Sequence, residues 1–302
     1  MRTITIGSRK SRLAVIQTEA VADRIRACHP EVTVQLVTMD TAGDRDQKRS
    51  LDSVEGKGFF TQELEDSLRK GTIDLCVHSL KDMALELPDD LPILAFSSRE
   101  DPRDVLVLPD KGGTRLSGAL PDLSRLKVGC SSARRSFQLS LLYPDSDIVP
   151  IRGNVPTRLE KLDRGEYDAL VLAAAGLNRL NLGCRISYYF PVTEMMPAAG
   201  QGILAVQGRR DFDCSLLTEL DDQDSRTAAL AERLIIRNLN GGCSLPSAAY
   251  CEVSGTEVRI RALYCVPESS RFAVRSLCSN RSDSLHSALQ LSTELRSEVN
   301  GL

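Results

Sequence analysis

The sequence predicts an α/β protein of two or three domains, and three observations predict it. Its 302 residues exceed one typical domain. Short apolar runs alternate with segments of helical apolar spacing, the pattern of a parallel or mixed sheet covered on its faces. Two breaks punctuate that alternation: a charged, proline-containing crossing at Ser98–Asp104 and a Pro/Gly-rich return at Pro191–Gln201. Two crossings are typical of one α/β lobe inserted into another.

Thr3 to Gly7 reads as a strand, and Ser11 to Cys28 as a helix with Leu13, Ile16, Ala20, Val21 and Ile25 on one face. Val32 to Val37 alternates as a strand, and Thr41 to Gly58 is a polar, glycine-bearing loop. A helix over Phe59 to Lys70 stops at Gly71; a buried strand follows from Ile73 to His78, then a Lys81-Asp82 corner and a strand at Ile93 to Phe96. Beyond the crossing come strands at Val105–Leu108, Lys127–Gly129, Asp147–Ile151 and Ala169–Ala173. Helices follow at Ser132–Leu142 and from near Asn154, with Pro156 in its first turn. Ile203 to Val206 is a strand that rejoins the first lobe. Asp224 to Leu239 is a helix stopped by Asn240-Gly241-Gly242. Strands at Ala248–Val253, Val258–Cys265 and Phe272–Leu277, then a helix over Ser284–Val299, make a small α+β tail.

Composition narrows the function classes. A net charge of −3 suggests no polyelectrolyte partner, and 4% aromatics without Trp leave few platforms for stacking bases. No nucleic-acid partner is expected. The nine cysteines are irregularly spaced with no CxxC, which reads as a reduced intracellular chain; with three histidines, no metal site is expected. No signal segment or long apolar span is seen, so a cytoplasmic protein without membrane contact is expected.

The chemistry gathers at strand ends. Arg9 follows the first strand; Arg134 and Arg135, with Ser131 and Ser132, follow the strand at Lys127; Arg152 and Arg158 follow that at Asp147; Arg179 follows that at Ala169. Helix N-termini offer unpaired N–H groups there, and arginine forks grip carboxylate or phosphate. The expected ligand is small and carries several anionic groups. Asp82, a carboxylate among cations, suits a developing positive charge or ligand N–H groups; the other reading is a salt bridge to Lys81 or a neighbour. Cys243, after Gly241-Gly242, is either a loop nucleophile or attachment point, or an inert thiol. Gly200-Gln201-Gly202 and Gly56-Lys57-Gly58 lack dinucleotide and Walker spacing.

Over nearly its whole length the chain resembles the porphobilinogen deaminase (hydroxymethylbilane synthase) family. The motifs are Gly7-Ser8-Arg9-Lys10-Ser11, Gly56-Lys57-Gly58-Phe59-Phe60, Val77-His78-Ser79-Leu80-Lys81-Asp82, Arg99-Glu100-Asp101-Pro102-Arg103-Asp104 and Ser131-Ser132 with Arg134-Arg135. Arg152-Gly153-Asn154-Val155, Gly165-Glu166-Tyr167-Asp168-Ala169, Ala198-Ala199-Gly200-Gln201-Gly202 and Gly241-Gly242-Cys243 complete them.

The resemblance implies two α/β lobes like those of periplasmic binding proteins, with a cleft between them, plus a small α+β C-terminal domain. The implied division is 1–98 with 196–218, then 99–195, then 219–302. It implies an enzyme that condenses four porphobilinogen molecules, with loss of ammonia, onto a dipyrromethane cofactor. That cofactor is joined by a thioether to Cys243, and water then releases hydroxymethylbilane. Lys81, Asp82, Ser131, Arg134 and Arg135 would hold the cofactor. Asp82 would be catalytic, and Arg9, Ser11, Arg152, Arg158 and Arg179 would bind substrate carboxylates. Lys57 and Phe60 would belong to a lid, and the protein would act as a monomer. Departures stand at Arg12 for a usual Pro, Met83-Ala84 for Val-Pro, Cys130 for Thr, Ala133 for Leu and Asn240 for Glu. The competing readings are a weakly active paralogue and a two-lobed small-anion binder, which would need neither Cys243 nor Asp82.

Overall fold

The computed structural model describes residues 2–40, 61–110, 122–240, 245–266 and 271–301. The chain divides into two compact units, Met1–Glu100 with Ile203–Leu230, and Asp101–Gly202 with Ala231–Leu302.

The first unit is built on a five-stranded sheet of order β2-β1-β3-β10-β4: β1 Arg2–Arg9, β2 Val32–Met39, β3 Leu75–Ser79, β4 Ile93–Phe96 and β10 Leu204–Gly208. β1, β2 and β3 run parallel, and β10 is antiparallel to both β3 and β4. The strand expected at Ile203 thus does return to the first sheet. Helix α1, Arg12–Cys28, lays Val21, Ala22 and Ile25 over Ile4, Ile6, Leu75 and Val77. Helix α2, Gln62–Arg69, covers the other face through Leu64 and Leu68, which pack with Ile73 and Cys76. The sheet is apolar on both sides because it is covered on both. A Cβ on Gly7 would lie 2.5 Å from Ile73 Cδ1 and 3.0 Å from Leu64 Cδ2, so glycine lets this second layer close without moving those side chains.

The second unit repeats the plan. Its sheet has order β7-β6-β8-β5-β9: β5 Asp104–Val107, β6 Lys127–Gly129, β7 Asp147–Val149, β8 Ala169–Ala173 and β9 Tyr188–Tyr189. Again three parallel strands lead to an antiparallel one, here β5. Helices α3, Ala133–Leu142, and α4, Val155–Asp163, follow β6 and β7. β9, a two-residue pairing on β5, was not expected; α5, Ala174–Arg179, is the helix start expected after the Ala169 strand, for which the sequence set no bounds. Both are too short to print a periodicity. Asp104, expected within the exposed crossing, instead opens β5 and is fully buried, because β5 is flanked by β8 and β9.

Helix α6, Gln223–Asn238, leads into the tail: an antiparallel sheet of β11 Ala248–Ser254, β12 Glu257–Val266 and β13 Arg271–Asn280, packed by α7, Ser284–Asn300. Met196 joins Ala248, Leu263 and Cys265 in one apolar cluster.

Candidate active site

In the first unit Arg9 ends β1, and Lys81-Asp82 follow β3. These strands are parallel neighbours, so the residues leave the same edge of the sheet, the carboxyl edge where α/β sheets bind ligands. Ser11 caps α1: its hydroxyl oxygen accepts from the Ala14 N–H at 3.3 Å. The cap uses a lone pair and not the proton. Arg12 is exposed at the first helical position, so the departure there leaves the cap intact.

The Lys81-Asp82 corner is a single 3₁₀ turn, Leu80–Asp82. Leu80 anchors it: the side chain is buried with Met83, Phe96 and Ile203, and its N–H donates to the Ile203 carbonyl at 3.0 Å. Met83 therefore fills the turn from below. Lys81 is half-buried and Asp82 exposed. Among the described residues no ion pair holds Asp82, so the salt-bridge reading finds no partner there.

Beneath the corner, His78 is buried, its Nε2 lying 3.0 Å from Cys76 Sγ. Cys76 Sγ points on to Gln207 Oε1 at 3.6 Å, and Gln207 Nε2 donates to the Leu91 carbonyl at 2.9 Å. Burial pulls the His78 pKa down to about 4; Arg9's charge pushes the same way, against a hydrogen bond with Gln207. The ring is neutral at pH 7. Its motif and the burial of its strand were legible in the sequence, but its contacts with Cys76 and Gln207 were not.

In the second unit, Ser131, Arg152 and Arg179 follow β6, β7 and β8 at their carboxyl ends. Ser131 donates its proton to the Ile151 carbonyl at 2.6 Å and accepts from the Ile151 N–H at 2.8 Å, tying the ends of two strands together. Its hydroxyl proton and one lone pair are engaged there. Arg158 Nε donates to the Gly153 carbonyl at 2.7 Å. Gly153 sits at φ +112°, against Thr157, in a turn that favours glycine. Arg179 Nη2 donates to the Gly202 carbonyl at 2.6 Å.

Arg134 and Arg135 do not simply project from a helix N-terminus, as expected; both turn onto Asp104. Arg134 Nη1 reaches Asp104 Oδ2 at 2.6 Å and the Met196 carbonyl at 2.6 Å. Arg135 Nε reaches Asp104 Oδ1 at 2.9 Å, and its Nη1 the Val171 carbonyl at 3.3 Å. All three side chains are at least nine-tenths buried. The two guanidinium groups hold the Asp104 carboxyl far below the ordinary carboxylate range, overcoming its burial. Asp104 was missed in the sequence as a site residue. One carboxylate against two guanidinium groups leaves one positive charge that Asp104 does not compensate.

Cys243, Lys57 and Phe60 lie outside the described residues. Among those described, no helix is long and apolar enough to cross a membrane.

The family model described as porphobilinogen deaminase, dipyromethane cofactor binding domain, matches residues 4–215, and that of the porphobilinogen deaminase C-terminal domain matches 226–300. A porphobilinogen deaminase of Acetivibrio thermocellus is 49% identical over 261 residues, 86% of this chain and 87% of that protein. One of Ruminiclostridium josui is 43% identical over 297 residues, 98% of this chain and 99% of that protein. Among solved structures, the BenM effector binding domain with its effector benzoate aligns over 72% of this chain and 88% of that chain, at 17% identity and a TM-score of 0.44.

Proposed function

This chain belongs to the porphobilinogen deaminase family, and from that premise we propose how its own residues divide the work. The family's enzyme is a transferase, hydroxymethylbilane synthase, which builds a linear tetrapyrrole from porphobilinogen on a dipyrromethane cofactor. When bound, that cofactor supplies the nucleophilic pyrrole carbon to which units are joined.

The donor set fits a polycarboxylate of this kind. Two buried guanidinium groups share one internal carboxylate. Arg9 and Arg152 are half-buried at the carboxyl ends of strands, where such ligands sit, and Arg158 and Arg179 are half-buried on the helices that follow β7 and β8. Lys81, Arg134 and Arg135, with the Ser131 corner, hold the cofactor's acetate and propionate groups, and Cys243 is its point of attachment. Arg9, Ser11, Arg152, Arg158 and Arg179 bind the carboxylates of incoming porphobilinogen, and Lys57 with Phe60 belongs to a lid over it.

Loss of ammonia from porphobilinogen leaves a cationic methylene-pyrrolenine. Asp82 stabilises that cation and orients pyrrole N–H groups. The observation that carries this role is the exposed Asp82 carboxylate, without an ion pair among the described residues, on a turn fixed by buried Leu80. The domains we propose are 1–98 with 196–218, then 99–195, then 219–302. The protein acts as a monomer in the cytoplasm, without nucleic acid.

The test is the denatured intact mass of the purified protein beside Cys243→Ser. The expected result is extra mass equal to two linked pyrrole units, lost in the variant. Equal bare masses, unchanged by porphobilinogen, would overturn the attachment and point to a plain anion binder or degenerate paralogue. Asp82→Ala is expected to keep the fold and lower turnover by ~10²–10³-fold; near-normal turnover would remove Asp82 from its role.

A further inference from the structure

Asp104 is given no role of its own above, yet among the described residues of the second unit its surroundings hold two buried guanidinium groups. Two guanidinium groups converge on it: Arg134 on Oδ2, and Arg135 on Oδ1 through both Nε and, at 2.7 Å, Nη2. Gln201 Nε2 adds a fourth donor on Oδ1 at 2.9 Å and also donates to the Pro102 carbonyl at 2.7 Å. Arg135 Nη2 lies 3.5 Å from Gln201 Oε1.

Stability alone is a poor reason for such a cluster. Burying ions costs several kcal/mol each, and apolar side chains of equal volume serve a core as well or better. Two cations on one anion make the balance worse still. What the cluster does achieve is geometric. It fixes two adjacent forks side by side, next to β8, and ties them through Gln201 and the Met196 carbonyl to the Met196–Gln201 segment. A fork held in one orientation loses less entropy on meeting a carboxylate than one that must be ordered first.

We infer that Asp104 is a positioning residue, which holds Arg134 and Arg135 in the orientation that receives a cofactor carboxylate. That carboxylate meets two guanidinium groups that share a single carboxylate, Asp104, between them. This rests on the proposal that Arg134 and Arg135 bind the cofactor.

The experiment compares Asp104→Asn, Arg135→Lys and the double variant, each purified as expressed. Its readouts are the fraction carrying the two-pyrrole mass in denatured intact spectra, kcat and KM for porphobilinogen, and the melting temperature. Asp104→Asn is expected to lower both the loaded fraction and the kcat of the loaded protein about tenfold while KM changes less than about threefold. The double variant is expected to be no worse than the more severe single one, because Asp104 acts through the arginines. Full loading and normal kcat in Asp104→Asn, with only a lower melting temperature, would make Asp104 a plain core residue, as would additive losses. If Arg135→Lys also loads fully, it is the assignment of Arg135 to the cofactor that fails. Should Asp104→Asn not fold, Gln201→Leu removes the neutral donor and keeps every charge; about a threefold drop in loading is expected, and unchanged loading overturns the inference.

Discussion

His78 shows how much a single side chain's surroundings decide. The unfolded chain binds a proton there near pH 6.5, the folded one only near pH 4. Between those values the unfolded state holds more protons, so stability falls as pH falls through that window, by about 3 kcal/mol in all. The carboxyl of Asp104, depressed by its arginines, adds a further loss below its own ordinary range. Melting temperature followed from pH 7 to pH 4 is expected to fall less steeply in His78→Gln than in the parent, and identical slopes would assign the acid sensitivity elsewhere. At this scale the sequence was legible where partners are neighbours. Lys81 and Asp82 announce themselves because strand end and charges are contiguous. Asp104 and its arginines stand 30 and 31 positions apart and meet only because β5 runs antiparallel beside β8. An aspartate at the end of Arg-Glu-Asp-Pro-Arg-Asp reads as exposed linker, and nothing local says otherwise.

Among elements, the helices were legible because their beginnings are chemically marked. Ser11, Ser132 and Asn154 each accept from a backbone N–H three residues on. Ser11→Ala is expected to lower stability by about 1 kcal/mol, read from the denaturant midpoint. The same variant should raise KM for porphobilinogen if the Ser11 proton also meets a substrate carboxylate; a stability loss with unchanged KM would confine Ser11 to capping. Arg12 occupies the position where proline is favoured, yet an exposed arginine serves there too, because the first N–H of a helix has no partner within it. What escaped the sequence were β9 and the bounds of α5, elements with no length to carry a pattern, and the last of these places Arg179.

For the whole molecule, the sheet orders follow rules the sequence only hints at. Alternating strands and helices announce parallel or mixed sheets, but not which strand runs antiparallel in each, β10 in one unit and β5 in the other. Within the second unit a buried carboxylate, Glu232 on α6, joins distant parts of the chain. It accepts from the Gly200 N–H at 2.7 Å and the Cys251 N–H at 2.7 Å. Glu232→Ala strands both donors and is expected to cost about 2–6 kcal/mol, at about 1–3 kcal/mol for each buried amide left unpaired. A melting temperature within a degree of the parent would show that the segments hold without it. The place of β10 also sets a timetable for synthesis. Among the described residues β4 pairs with no strand but β10, which the ribosome makes only after β5 to β9 of the other sheet. At ~5–20 residues per second the nascent chain waits roughly 5–20 s with β3 and β4 unzipped from each other. The sheet begun second is therefore the first to have all its strands made, and the sheet begun first spends that interval with sticky edges that a growing cell must keep from meeting their like.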